Sequence, residues 1–183
     1  MKNMSILLIL SMLMVSCKNP QSMDNQNFKA EKISKTETIL LMGNIQKVFP
    51  LFGAFEERKW AEGWNPTLIY PTTEIVEEGT TFKTKAHGHD EPEFLWRITK
   101  YQPEAHLIQY LVSTPNRYWT ITVICKPLTA EKTTAQITYS FIGLNDTGNT
   151  FNKQALEKMY EQNLKDWEEA INFYLHHGEM KTQ

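Results

Sequence analysis

The sequence predicts an α+β fold: a curved antiparallel sheet of about six to seven strands wrapped around a long C-terminal helix. Between Thr80 and Phe141 apolar residues alternate with polar ones in run after run, separated by short turns, which is the period of half-buried strands. Two short helical stretches follow the first strand. From Phe151 to Leu175 the apolar residues recur at steps of three, four and one, which is the spacing of a single helix face.

The chain opens Met1-Lys2-Asn3, continues with an apolar run from Met4 to Val15, and reaches Ser16-Cys17. A positive start, a short apolar core and a small residue before the cleavage point describe a signal peptide. About twelve apolar residues are too few to cross a bilayer as a helix. Met14-Val15-Ser16-Cys17 resembles the bacterial lipobox, which implies that Cys17 is lipidated and becomes the mature N-terminus. Residues 1–17 are therefore assigned to the signal peptide. Polar, aperiodic residues 18–30 form a flexible tether, and 31–180 the folded domain. Lys18 stands where many inner-membrane lipoproteins carry aspartate, so the expected location is the cell envelope, with the outer membrane favoured.

Within the domain, Ile33 to Met42 reads as the first strand. Ile45 to Phe52 is a short helix interrupted at Pro50, and Phe55 to Glu62 a second one stopped by Gly63. Trp64-Asn65-Pro66 turns the chain into a strand at Thr67 to Tyr70. The alternating strands then centre on Phe82 and Thr84; Phe94, Trp96 and Ile98; Ile108, Tyr110 and Val112; Trp119, Ile121, Val123 and Cys125; and Ala135, Ile137, Tyr139 and Phe141. The short turns between them favour a meander. The final helix is expected to be continuous, capped by Asn149 or Thr150 and ended by Gly178, roughly 40 Å long at about 1.5 Å per residue.

At 183 residues the chain suits one domain, and 41% hydrophobic residues with a formal net charge of −2 describe a globular protein without a basic face. Nucleic acid is accordingly not an expected partner. Cys17 falls in the targeting segment and leaves Cys125 as the domain's thiol, so no internal disulfide is expected, and no cysteine–histidine spacing calls for zinc. No cofactor is signalled.

A strand, two short helices, a curved antiparallel sheet and a long C-terminal helix resemble the helix-grip plan of the START-like superfamily, also called SRPBCC. It includes lipid-transfer domains, plant pathogenesis-related allergens, polyketide cyclases and heat-shock ATPase activators. Phe49-Pro50-Leu51-Phe52, the set Glu57, Trp60, Trp64 and Pro66, Gly79-Thr80-Thr81-Phe82, Leu144 to Asn149, and Trp167 resemble a subgroup of small bacterial members. The resemblance covers residues 31 to 178. It implies the fold and a cavity between sheet and helix, and no particular reaction.

Alternation turns an aromatic face toward the helix, and the resemblance makes that face a candidate cavity lining: Phe82, Phe94, Trp96, Tyr110, Trp119, Tyr139 and Phe141, closed by Met159 and Tyr160 of the helix, with Trp64 as a loop anchor or a lid over the mouth. Polar tips of tyrosine and tryptophan around an apolar hollow suit a small hydrophobic or amphipathic ligand. No strand position assigned inward is charged, so no catalytic residue is marked. His106 falls in phase with Ile108 and is read as a solvated strand-end histidine, with a base at the cavity rim as the alternative. His87-Gly88-His89-Asp90 reads as a polar hairpin loop rather than a metal site. Cys125 reads as a small buried hydrophobe. The expected function is a membrane-tethered binding protein. The alternatives are a cyclase- or hydratase-type enzyme using Tyr110, Tyr139 or His106, and a protein-interaction module of the heat-shock activator kind.

Overall fold

A computed structural model describes residues 28–86 and 91–182. The signal segment with Cys17, most of the tether, and His87 to Asp90 lie outside the described residues.

The strands are β1 (Lys32–Leu41), β2 (Thr67–Tyr70), β3 (Thr81–Lys85), β4 (Glu93–Gln102), β5 (Leu107–Ser113), β6 (Arg117–Thr129) and β7 (Lys132–Gly143). They form one antiparallel sheet in the order β1-β7-β6-β5-β4-β3-β2. Six strands make the expected meander, and β1 closes the sheet by pairing with β7, with Ile39 opposite Ala135. On β6 and β7 every second residue is buried, from Arg117 to Cys125 and from Thr133 to Gly143 apart from intermediate positions, as period-two packing requires. Thr99 is an extra residue in β4: Ile98 faces Tyr110, but Lys100 faces Gln109 and Tyr101 faces Ile108. This bulge reverses the alternation, so that Tyr101 turns inward and stacks on Phe49 at 6.0 Å.

After β1, Asn44 caps helix α1 (Ile45–Val48), its side chain accepting from Lys47 N–H at 3.1 Å. The chain continues as a 3-10 turn through Phe49–Phe52 and another at Glu56–Lys59, matching the two expected short helices. Phe49, Leu51, Phe52, Phe55 and Trp60 are buried against the sheet.

The expected single C-terminal helix is two. Helix α2 spans Asp146–Met159 and α3 spans Lys165–His177. Between them Asn163 and Leu164 adopt left-handed backbone conformations, with φ of 51° and 56°. Asparagine tolerates this region, whereas leucine enters it against steric resistance. Leu164 does so while almost fully buried, so its packing in the core offsets the strain. The cap is Asn145, whose side chain accepts from Gly148 N–H at 2.8 Å, and not Asn149 or Thr150. Gly178 ends α3 as expected, with φ of 74°.

The break lets α3 cover the sheet edge. Glu168 accepts from Leu40 N–H at 2.8 Å, and Asn172 accepts from Met42 N–H at 2.7 Å while donating to Leu40 O at 2.9 Å. Two side chains one turn apart thus satisfy the outer backbone groups of β1, which an uncovered edge would present for pairing. Trp167, expected at the centre of the buried stripe, is half-buried, and Ile171 is the residue of α3 that is wholly enclosed.

Candidate functional site

A cavity of about 820 Å³ lies between the sheet and α2. Its walls come from the Ala61–Thr67 segment, β3, the start of β4, the inner faces of β6 and β7, and Ala155, Lys158 and Met159 of α2. The aromatic side chains brace one another. Trp64 meets Trp96 edge-on at 5.2 Å, Phe94 meets Trp119 edge-on at 5.1 Å, and Phe141 stacks on both Trp119 and Tyr139, at 5.5 and 5.9 Å. Such contacts hold the walls apart as well as together, because rings locked by several neighbours do not collapse into the hollow.

Of the residues expected to line it, Trp64, Phe94, Trp96, Trp119, Tyr139, Phe141 and Met159 do so. Phe82, Tyr110 and Tyr160 do not. Phe82 is fully buried and stacked on Trp96 at 5.6 Å. Tyr110 donates its hydroxyl to Phe52 O at 2.7 Å, and Tyr160 donates to Lys35 O at 2.9 Å. Alternation for Phe82 and Tyr110, and helical spacing for Tyr160, place all three on the correct face, but each belongs to the packed core. His106 is not a strand residue. It follows a 3-10 turn at Pro103–Ala105 in a left-handed conformation, its ring lies edge-on to Phe49 at 5.6 Å, and it is not part of the cavity wall.

The polar tips divide into two sets. Trp64 Nε1 donates to Ala54 O at 2.7 Å, and Trp96 Nε1 donates to Thr84 Oγ1 at 2.9 Å. Tyr139 hydroxyl and Trp119 Nε1 have no hydrogen-bond partner among the described residues, although both residues are buried and line the cavity. Burial pushes the Tyr139 phenol well above its ordinary value of 10.0, helped by the negative charge of Glu57. The Tyr110 phenol is raised for the same two reasons. Glu57 itself keeps part of its surface accessible, yet it is surrounded closely enough that burial raises its carboxyl well above the ordinary 4.5. Cys125, buried at the inner face of β6, has its thiol pushed up to about 12 by burial, as befits an inert hydrophobe.

The charged residue that the sequence reading passed over is Arg117. It opens β6, in phase with Trp119 and Ile121, and faces inward at 2% exposure. Its Nε and Nη2 donate to Glu91 Oε2 at 3.0 and 2.7 Å, and Thr114 Oγ1 donates to Glu91 Oε1 at 2.6 Å. The guanidinium lies 5.0 Å from the centre of the Trp119 ring. Its Nη1 is buried without a hydrogen-bond partner. The amide of Asn152 is likewise buried and unpaired, away from the cavity wall.

The segment Leu144 to Asn149 fixes where Arg117 begins. Leu144 N–H donates to Asn116 O at 2.8 Å, and Asn145 Nδ2 donates to Asn116 Oδ1 at 3.0 Å. A Cβ on Gly148 would stand 1.9 Å from the main-chain oxygen of Asn116, so only glycine lets α2 start there. Among the described residues no group of three or more His, Cys, Asp or Glu could hold a metal ion, and no helix is long and apolar enough to cross a membrane.

The fold is that of known helix-grip proteins. Norcoclaurine synthase from Thalictrum flavum, solved in complex with dopamine and hydroxybenzaldehyde, superposes with a TM-score of 0.61 at 13% identity, over 98% of this chain and 100% of that one. The di-domain ARO/CYC BexL of the BE-7585A biosynthetic pathway gives 0.58 at 17% identity, over 79% of this chain and 48% of that one. A Thermobifida fusca protein solved in solution gives 0.57 at 16% identity, over 81% and 99%. No family profile matches the sequence, and no curated protein does.

Proposed function

We propose that this chain, which has the Bet v1-like helix-grip fold of the START-like superfamily, binds a small hydrophobic or amphipathic molecule between its sheet and α2. The observation that carries this is the 820 Å³ cavity walled by mutually braced aromatic rings. A hollow of that size and lining matches small-molecule sites in general. The norcoclaurine synthase structure, which holds two small aromatic molecules, supports ligands of that scale. A thermal-shift screen of the purified protein against fatty acids, sterols and aromatic polyketides tests the reading. A binder raises the melting temperature by mass action and changes the fluorescence of Trp64, Trp96 and Trp119. No shift across the panel would sink it.

The reading includes a membrane tether. Cys17 at the end of a short apolar run supports lipidation and attachment to the cell envelope. Intact mass of the membrane-fraction protein should show an acylated Cys17, and Cys17→Ala should release the protein from membranes. Unmodified, soluble wild-type protein would overturn the tether.

One observation favours a second reading, catalysis of the cyclase kind in the same cavity. Tyr139 brings an unpartnered hydroxyl to the wall, and Glu57, held toward its protonated form, lies near enough to influence it. If this reading holds, Tyr139→Phe lowers turnover of a bound polyketide far more than its binding. Equal losses in both would leave binding alone.

A further inference from the structure

We propose that the ligand is held by a carboxylate, one oxygen of which accepts hydrogen bonds from Nη1 of Arg117. The inference rests on the binding reading above and names the chemistry of its ligand. Three buried residues of the wall each carry a polar group with no partner among the described residues: Arg117 Nη1, Trp119 Nε1 and the Tyr139 hydroxyl. The first two are donors only, and the third can donate. They sit close together on the sheet: Arg117 and Trp119 are successive inward residues of β6, and Phe141, which pairs with Trp119, is the inward neighbour of Tyr139 on β7. Glu91, the nearby acid, is already engaged, since Oε2 takes Nε and Nη2 of Arg117 and Oε1 takes Thr114.

The pair therefore fixes the guanidinium by its Nε–Nη2 edge and leaves Nη1 unpartnered in a residue that lines the cavity. Glu91 also neutralises Arg117, so the pair alone would not decide between a charged and a neutral acceptor. The mouth decides it. Lys85 and Lys158 line the opening with no ion pair among the described residues, whereas Glu93 is engaged by Lys83. Among the described residues Glu62 is the unpaired acid there, so cations outnumber anions on the approach. A carboxylate is favoured along that path and meets a charge-assisted donor at its end.

Decanoate and 1-decanol are suitable probes, because they share an apolar tail and differ in the head. Titrations of the full chain below the probes' aggregation limits, followed by tryptophan fluorescence, should give decanoate at least about tenfold tighter binding than decanol. Glu91→Gln combined with Arg117→Met replaces the buried pair by uncharged side chains of similar size, which cores tolerate. In this double variant decanoate affinity should fall about tenfold, with decanol changed by no more than about twofold. Arg117→Lys keeps the charge without the fork and should lose part of the decanoate preference. Wild-type protein that binds decanol as tightly as decanoate overturns the anchor whether or not any variant folds, and leaves the cavity reading standing. So does a folded variant that binds decanoate undiminished. Wild-type protein that binds neither probe overturns the anchor, and the broader ligand screen then decides the cavity reading separately.

Discussion

Where the Phe49–Trp60 segment and α3 cover the sheet, each polar tip is given to a main-chain carbonyl: Tyr110 to Phe52, Trp60 to Leu51 at 2.8 Å, Thr133 to Gly43 at 2.8 Å. Under α2, on β6 and β7, Tyr139, Trp119 and Arg117 keep polar atoms unpaired among the described residues. Both halves are made by one alternating pattern, and their compositions are alike in aromatic content. What differs is the cover. The Phe49–Trp60 segment lies close enough to supply carbonyls, and Trp60 packs edge-on against Trp167 at 5.4 Å to seal that half. Helix α2 presents Ala155, Lys158 and Met159 to the cavity, and among the described residues no hydrogen bond joins it to the Tyr139 hydroxyl, Trp119 Nε1 or Arg117 Nη1. The closed half supplies stability, and the open half retains the donors that a ligand would satisfy.

The largest expected effect separates the halves by stability. Trp60→Ala removes a fully buried ring and its hydrogen bond, and should cost about 3–5 kcal/mol of the roughly 5–15 available to such a domain. Phe94→Ala, a half-buried wall residue, enlarges a hollow that already exists and should cost about 1 kcal/mol. Denaturant unfolding of the two variants measures both, and equal losses would erase the distinction between a packed half and an open one.

A smaller effect probes the polar tips directly. Tyr110→Phe leaves Phe52 O buried without its donor and should destabilise by about 1–2 kcal/mol. Tyr139→Phe strands nothing and should stay within about 0.5 kcal/mol of wild type. The reverse order in melting experiments would mean that the two hydroxyls had been assigned to the wrong halves.

The smallest effect is a slope with pH. Glu57 has a higher carboxyl pKa in the folded protein than in the unfolded chain, because burial disfavours its charge. Folding thus takes up a proton there. Its contribution to stability is present in full below about 4.5 and is lost as pH rises through the folded-state pKa. Glu57→Gln should flatten the fall in stability across that range. An unchanged pH profile would show that the carboxyl is solvated like a surface acid.

Much of the fold was legible because it follows from local rules. The alternation on β5, β6 and β7, the two short helices after β1 and the glycine stop at Gly178 are each fixed by residues close in sequence. Five of the seven expected lining residues that reach the cavity, Phe94, Trp96, Trp119, Tyr139 and Phe141, do so for the same reason, since the period of a strand decides its inward face. Arg117 was legible too, in phase with Trp119, but an arginine beside a turn signal reads as solvated until its partner is known. That partner, Glu91, is 26 residues away and across the sheet. Phe82, Tyr110 and Tyr160 show the converse limit: the period of the strand or helix gives the face, and only the elements packed on that face decide whether a side chain lines a hollow or fills a core.

The sequence by itself therefore determined the strands, their facing and the helical character of the stretches after β1 and after β7, since these depend on side chains a few residues apart. Tertiary structure alone decided the break at Asn163-Leu164, where burying Leu164 and matching Glu168 and Asn172 to the edge of β1 outweigh the continuity of one helix. It also decided which buried polar atoms are paired, because hydrogen-bond partners within reach are set by packing between segments far apart in the chain.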